Sequence, residues 1–139
     1  MRFVDANVFI HAFLDPKRPL QPHELKIKEA AKTIVRRLEE GEQMATTVVH
    51  LSEVATIFES RMPPSDAFEV LSSLMSLPNL TTHGTSGEAY RSALRVAEVL
   101  GLGVNDGLAY LTMIDNRIIE LYSFDRDFDG LSDIKRLTE

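Results

Sequence analysis

The sequence predicts an α/β sandwich around a mostly parallel sheet, and three observations carry that expectation. Apolar, β-branched runs (Arg2–Asp5, Met44–His50 and Arg117–Phe124) alternate with longer segments whose apolar residues recur at helical spacing. Helix-length segments separate all but the last two strands, as parallel strands require. The 139 residues are 44% hydrophobic and show no linker, repeat or low-complexity stretch, which suits a single domain over 1–139 with a core of its own.

Taken in order, Arg2-Phe-Val-Asp5 is a short strand ending on an acid, and Asn7 is placed to cap a helix bearing Val8, Phe9, Ile10, Phe13 and Leu14. Asp15-Pro16 ends that helix, and Pro16, Pro19 and Pro22 mark a loop. From His23 to Glu40, Ile27, Ala30, Ala31, Ile34, Val35 and Leu38 trace one helical face, with Gly41 as the stop. Met44–His50 reads as a buried strand. A helix over Ser52–Ser60 follows, and Pro63-Pro64 separates it from another over Ser65–Leu77. Leu80–Thr82 is a brief strand, and Thr85 with Glu88 has the spacing of a capping box opening a helix that runs to Leu100. After the turn Gly101-Leu-Gly103, Val104–Ile114 is helical and Arg117–Phe124 is a strand. A polar loop, Asp125–Asp129, leads to a terminal strand near Ile134.

Composition narrows the chemistry. The chain has no cysteine, which excludes disulfides, thiolate zinc sites and a cysteine nucleophile, and suits a reducing cytoplasm. No apolar run reaches the roughly 18 residues of a membrane span, and no signal peptide opens the sequence. The net charge of −6 argues against a nucleic-acid partner, because affinity for phosphate comes from positive charge. The charge is segregated, however. Residues 17–37 carry seven basic side chains against two acidic ones, a local +5, leaving −11 for the rest. Such a run is either a solvated helix face or a basic rim beside an acidic site.

The acids decide which features matter. In an open parallel sheet the working site lies beyond the carboxyl ends of the strands. Asp5 ends the first strand, Glu53 falls in the first helical turn after MATTVVH, Asp106 sits near a helix start, and Asp125 follows the strand RIIELYSF with Asp127 two residues on. Individually, each is a helix-dipole partner or a turn former. Gathered at one sheet edge, they would repel each other and raise one another's pKa unless a cation sat among them. No lysine or histidine is placed by sequence to do this, whereas Mg²⁺ or Mn²⁺ suits an all-oxygen environment.

At these residues the chain resembles a known family. Arg2-Phe-Val-Asp5-Ala-Asn7 looks like the opening of a PIN domain, Ser52-Glu53-Val54 its second acidic motif, Gly103-Val-Asn-Asp106 its third, and Tyr122-Ser-Phe-Asp125-Arg-Asp127 its last. The four motifs occur in the family's order over essentially the whole chain, and the size is most similar to VapC-type toxins of toxin–antitoxin pairs. The resemblance implies a PIN-like three-layer sandwich and a metal-dependent endoribonuclease, the toxin of such a pair, working in the cytoplasm. It implies one or two Mg²⁺ or Mn²⁺ ions held by Asp5, Glu53, Asp106 and Asp125, activating water and stabilising the leaving 3′ oxygen. Products would carry 5′-phosphate and 3′-hydroxyl ends. Asp5 is the best candidate for the central ligand, and Glu53 either ligates through a water or helps deprotonate it. Asp125 and Asp127 both fit the fourth position; Asp125 matches better, lying two residues after Ser123, and Asp127 would then complete a second metal site. Asn7 is expected to cap its helix and orient Asp5, and Ser123 to hydrogen-bond a metal-bound water. Arg126 contacts either RNA phosphate or a neighbouring acid. A small antitoxin and a second copy of the chain are the implied protein partners, with no membrane.

Other signals fail. Gly101-Leu-Gly103 opens like a dinucleotide fingerprint, but Asp106 occupies the position of the third glycine and a helix precedes it. His11, His23, His50 and His83 have no metal-ligand spacing to each other. A phosphoacceptor receiver domain would need adjacent acids after the first strand and a lysine near the last; Asp5 has no acidic neighbour. The alternatives that keep the fold are a non-catalytic module binding RNA or protein, with the 17–37 segment as its contact surface, and a structure-specific DNA nuclease.

Overall fold

Strand β1 (Arg2–Val4) is buried at its last two residues and lies in the middle of the sheet, bonded in parallel to β2 (Met44–Thr47) on one side and β4 (Glu120–Tyr122) on the other. The computed structural model describes residues 1–139. β3 (Leu80–His83) adds beyond β2 and β5 (Lys135–Leu137) beyond β4, giving the order β3-β2-β1-β4-β5. Every pairing is parallel, so the sheet is wholly rather than mostly parallel.

The helices are α1 (Ala6–Phe13), α2 (Pro22–Glu39), α3 (Val48–Arg61), α4 (Pro64–Met75), α5 (Gly87–Leu100) and α6 (Val104–Asp115), with a 3₁₀ turn over Arg126–Gly130. Side-chain alternation along the strands sorts them into two layers. Val4, Met44 and Tyr122 point into a core shared with α1, α2, α3 and α4, where Phe9, Ile34, Leu38, Val54 and Phe58 are fully or almost fully buried. Phe3, Ala45 and Leu121, their neighbours in sequence, point the other way, onto Ala109 and Met113 of α6 and Phe128 of the 3₁₀ turn. This is the three-layer sandwich expected. α5 lies against α6, where Gly107 has no side chain to hold the helices apart: a Cβ there would stand 2.7 Å from the Ala93 carbonyl oxygen.

Several boundaries differ from the sequence reading, each for a local reason. MATTVVH is a strand only to Thr47, whose hydroxyl accepts from the His50 amide and starts α3; capping chemistry overrides the β preference of Val48 and Val49. Glu53 is therefore the sixth residue of α3 and not in its first turn. Asp5, not Asn7, caps α1, its carboxylate accepting from the Ala6 amide. Ser86 caps α5 in place of Thr85. The last long strand shrinks to Glu120–Tyr122 because Asn116 ends α6 and Arg117 takes a left-handed φ of 56°, turning the chain before it can pair.

The basic run does not form one surface. Lys28 is buried, donating to the His11 and Leu14 carbonyls at the end of α1 and pairing with Asp15. Arg18 pairs with Glu24 in the capping box of α2, and Arg37 lies near Glu42.

Candidate metal centre

The chain runs outward from β1 through β2 to β3, then returns to lay β4 on the opposite side of β1. The carboxyl ends of β1 and β4 thus flank the point where strand order reverses, the place where open α/β sheets form a crevice. Asp5 follows β1, and Ser123 and Asp125 follow β4.

Asp5 is 5% exposed, and its carboxylate is held by three donors. Oδ1 accepts from the Ala6 amide at 2.8 Å, while Oδ2 accepts from the Ser123 hydroxyl at 2.7 Å and the Asn7 amide at 3.1 Å. Ser123 Oγ in turn accepts from Asn7 Nδ2 and from the Asp125 backbone amide, so its hydrogen-bonding capacity is filled. Asn7 completes the knot by accepting from the Phe124 amide. Asn7 and Ser123 therefore tie the start of α1 to the segment leaving β4.

Asp106, the third residue of α6, Asp125 and Asp127 bring carboxylate oxygens within 4.8 Å of one another. Asp125 also starts the 3₁₀ turn by accepting from the Asp127 amide, which fixes the two acids relative to each other. The sequence left a choice between Asp125 and Asp127; the fold delivers both to the cluster. Asp5 and Glu53 stand outside that tight set but inside its field. Burial first, then the charges of Asp5, Asp125 and Glu53, push the Asp106 carboxyl up to about 7. Burial also raises the Asp5 carboxyl, against the lowering effect of the Ser123 hydroxyl and the Ala6 amide.

None of Asp5, Glu53, Asp106, Asp125 and Asp127 has a lysine or arginine within ion-pair distance. His50, which sequence spacing had set aside, is buried with Nε2 4.0 Å from Asp5 Oδ1. It supplies no countercharge, because burial lowers its pKa to about 4. Crowded carboxylates without a protein cation fit a hard divalent ion, since such ions take oxygen ligands and a net negative site. Asp106, Asp125 and Asp127 are placed to hold it, with Asp5 at the edge of the cluster.

Two further residues enter that motif reading did not single out. Asn105 donates to Glu53 Oε1 at 2.8 Å, and the Tyr90 hydroxyl meets Asn105 Oδ1 at 2.7 Å. The only sequence signal for Asn105 is its place beside Asp106; Tyr90, on α5, has none.

A wholly parallel sheet with a cation-free carboxylate cluster at its switch point defines an α/β protein suited to binding a divalent metal. The chain belongs to the PIN domain family, whose model matches residues 2–134. Among solved structures it is similar to a sarcin-ricin loop cleaving toxin, VapC20 of Mycobacterium tuberculosis, with a TM-score of 0.70 and 16% identity over 95% of each chain. A toxin-antitoxin complex from Klebsiella pneumoniae is similar at a TM-score of 0.66 and 16% identity, over 97% of this chain and 96% of that one. VapBC2 from Rickettsia felis, bound to a DNA fragment from its promoter, is similar at 0.65 and 16%, over 98% and 96%. No curated protein matches the chain by sequence.

Proposed function

We propose that this protein is a Mg²⁺- or Mn²⁺-dependent endoribonuclease, the toxin of a toxin–antitoxin pair, acting as one PIN-like domain over 1–139. The observation that carries the reading is the carboxylate trio Asp106, Asp125 and Asp127, without a protein countercharge, beside buried Asp5 in a PIN fold. A divalent ion held there would supply Lewis-acid chemistry, making a water nucleophilic at neutral pH and offsetting charge on the leaving 3′ oxygen. The chain's own residues do the rest. Asp5, Asp106, Asp125 and Asp127, with Glu53, hold the ion or ions, and Ser123 and Asn7 keep the Asp5 carboxylate from rotating.

Arg126 is exposed, forms no ion pair, and lines a groove of about 690 Å³ with Lys26, Phe124 and Arg136. Its position between two of the acids suits it to an RNA phosphate next to the scissile bond. The structural neighbour that is a toxin–antitoxin complex supports an antitoxin partner. Phe68 and Met75, each more than half exposed on α4, offer apolar surface to a second copy. An RNA substrate accords with activity in the cytoplasm; no helix is long and apolar enough to cross a membrane.

The test is incubation of the wild type and Asp5→Asn with total cellular RNA and Mn²⁺, mapping new 5′ ends. New 5′-phosphate ends from the wild type alone are expected. Equal cleavage by both proteins, or none by either, contradicts the proposal.

A further inference from the structure

We infer that Asn105 is a positioning residue for the acidic site: it clamps Glu53 of α3 in one orientation, and Tyr90 of α5 fixes the direction of the clamp. The inference rests on Glu53 belonging to the site proposed above. Glu53 has a single hydrogen-bond partner in the protein, Asn105 Nδ2 at 2.8 Å, and no ion pair. A half-buried glutamate so held loses rotamer freedom that it would otherwise have to give up on meeting a metal.

The amide can serve only one way round. With its oxygen toward Glu53 it would set two acceptors against each other; with nitrogen toward Glu53, the oxygen must take a proton from elsewhere. The Tyr90 hydroxyl, 2.7 Å from Asn105 Oδ1, is that donor. The order Tyr90 O–H to Asn105 to Glu53 is therefore directional, and it joins α5, α6 and α3 at one point. Asn105 directly precedes Asp106, so the helical turn that delivers one acid of the site also clamps another. Only the free edge of the Glu53 carboxylate remains for a cation or its water.

The experiment is calorimetric titration of the intact protein with Mn²⁺ alone, for wild type, Asn105→Ala, Tyr90→Phe, Glu53→Ala and the Asn105→Ala/Glu53→Ala double variant. Asn105→Ala is expected to weaken Mn²⁺ binding by about tenfold or more, as loss of an orienting partner does. Tyr90→Phe, which removes one hydroxyl, should weaken it less and in the same direction. In the Glu53→Ala background, Asn105→Ala should add nothing. With RNA, the Mn²⁺ requirement of Asn105→Ala should rise while its KM at saturating Mn²⁺ stays at the wild-type value. Wild-type affinity in Asn105→Ala when Glu53→Ala is weakened overturns the clamp. So does an undiminished effect of Asn105→Ala in the double variant, which would mark a merely structural role. Unchanged affinity in Glu53→Ala overturns instead the placement of Glu53 in the site, and the clamp with it.

Discussion

A carboxylate that is 5% exposed needs a reason to be tolerated, and Asp5 has three donors as that reason. Ser123, fully buried, is the donor whose removal tests this most directly, since its hydroxyl gives one hydrogen bond to Asp5 and receives two. Ser123→Ala should cost about 1–3 kcal/mol by chemical denaturation, because buried partners are left unsatisfied. It should also weaken Mn²⁺ binding by about 10–100-fold. Asp106 presents the opposite case. Its folded-state pKa is raised to about 7, so its contribution favours the fold at low pH and is lost as pH rises through that value. At pH 8 the metal-free protein bears the full cost of an ionised, half-buried carboxylate and of its repulsion by the neighbouring acids, and Asp106→Asn relieves both. That variant should gain about 1–2 kcal/mol after solvent screening, read as a higher metal-free Tm, while losing RNA cleavage. A lower Tm would contradict the argument from burial and repulsion.

Among the elements, α5 and α6 meet where Gly107 faces Ala93 and Ala97, and the approach leaves no room for a methyl group. Gly107→Ala would otherwise favour the helix by about 1 kcal/mol, so any loss of stability reports the clash. The expected net loss is about 1–3 kcal/mol, with displacement of the α6 first turn and of Asp106 in it. The start of α2 makes a different prediction. Glu24 accepts from the Gln21 amide and from Arg18, whose side-chain hydrogen bonds hold the Glu24 carboxyl down to about 2. A depressed pKa gives stabilisation that is complete above the unfolded value near 4.5 and fades as pH falls toward 2. Amide protection factors in the first turn of α2, corrected for intrinsic exchange, should fall over that window in the wild type. Glu24→Gln should lack the pH dependence.

For the whole molecule, the charge of −6 is compatible with RNA because part of it belongs to the proposed metal centre. Two divalent ions would bring the total from −6 to −2. Binding of a cleavage-resistant RNA analogue by the wild type should be weak in EDTA and tighten when Mg²⁺ is added, measured by fluorescence anisotropy at constant ionic strength. Affinity that ignores Mg²⁺ would return the binding role to the basic segment. The structure already weakens that segment as a uniform contact surface, since Lys28 is buried and Arg18 is engaged with Glu24. Lys26 is the part of the run that lines the same groove as Arg126.

The alternation of apolar strands and amphipathic helices specified the sandwich, because burial of one face per helix and two per central strand leaves few other arrangements. Asp5, Asp106 and Asp125 were visible for a related reason: strand ends and helix starts are local features, and a parallel sheet sends them to one edge. Contacts between distant segments were not visible. Nothing local says that Ser123 bonds Asp5 across 118 positions, that Asn105 reaches Glu53 across 52, or that His50 is buried beside Asp5. Strand lengths were misread where a capping threonine or a left-handed Arg117 overrode residue preference. Local periodicity and charge thus sufficed for the layers and the acids. Which side chains meet, and which of them hold the carboxylates still, was settled only by the packing of α3, α5 and α6 around the end of the sheet, since those distances depend on every element at once.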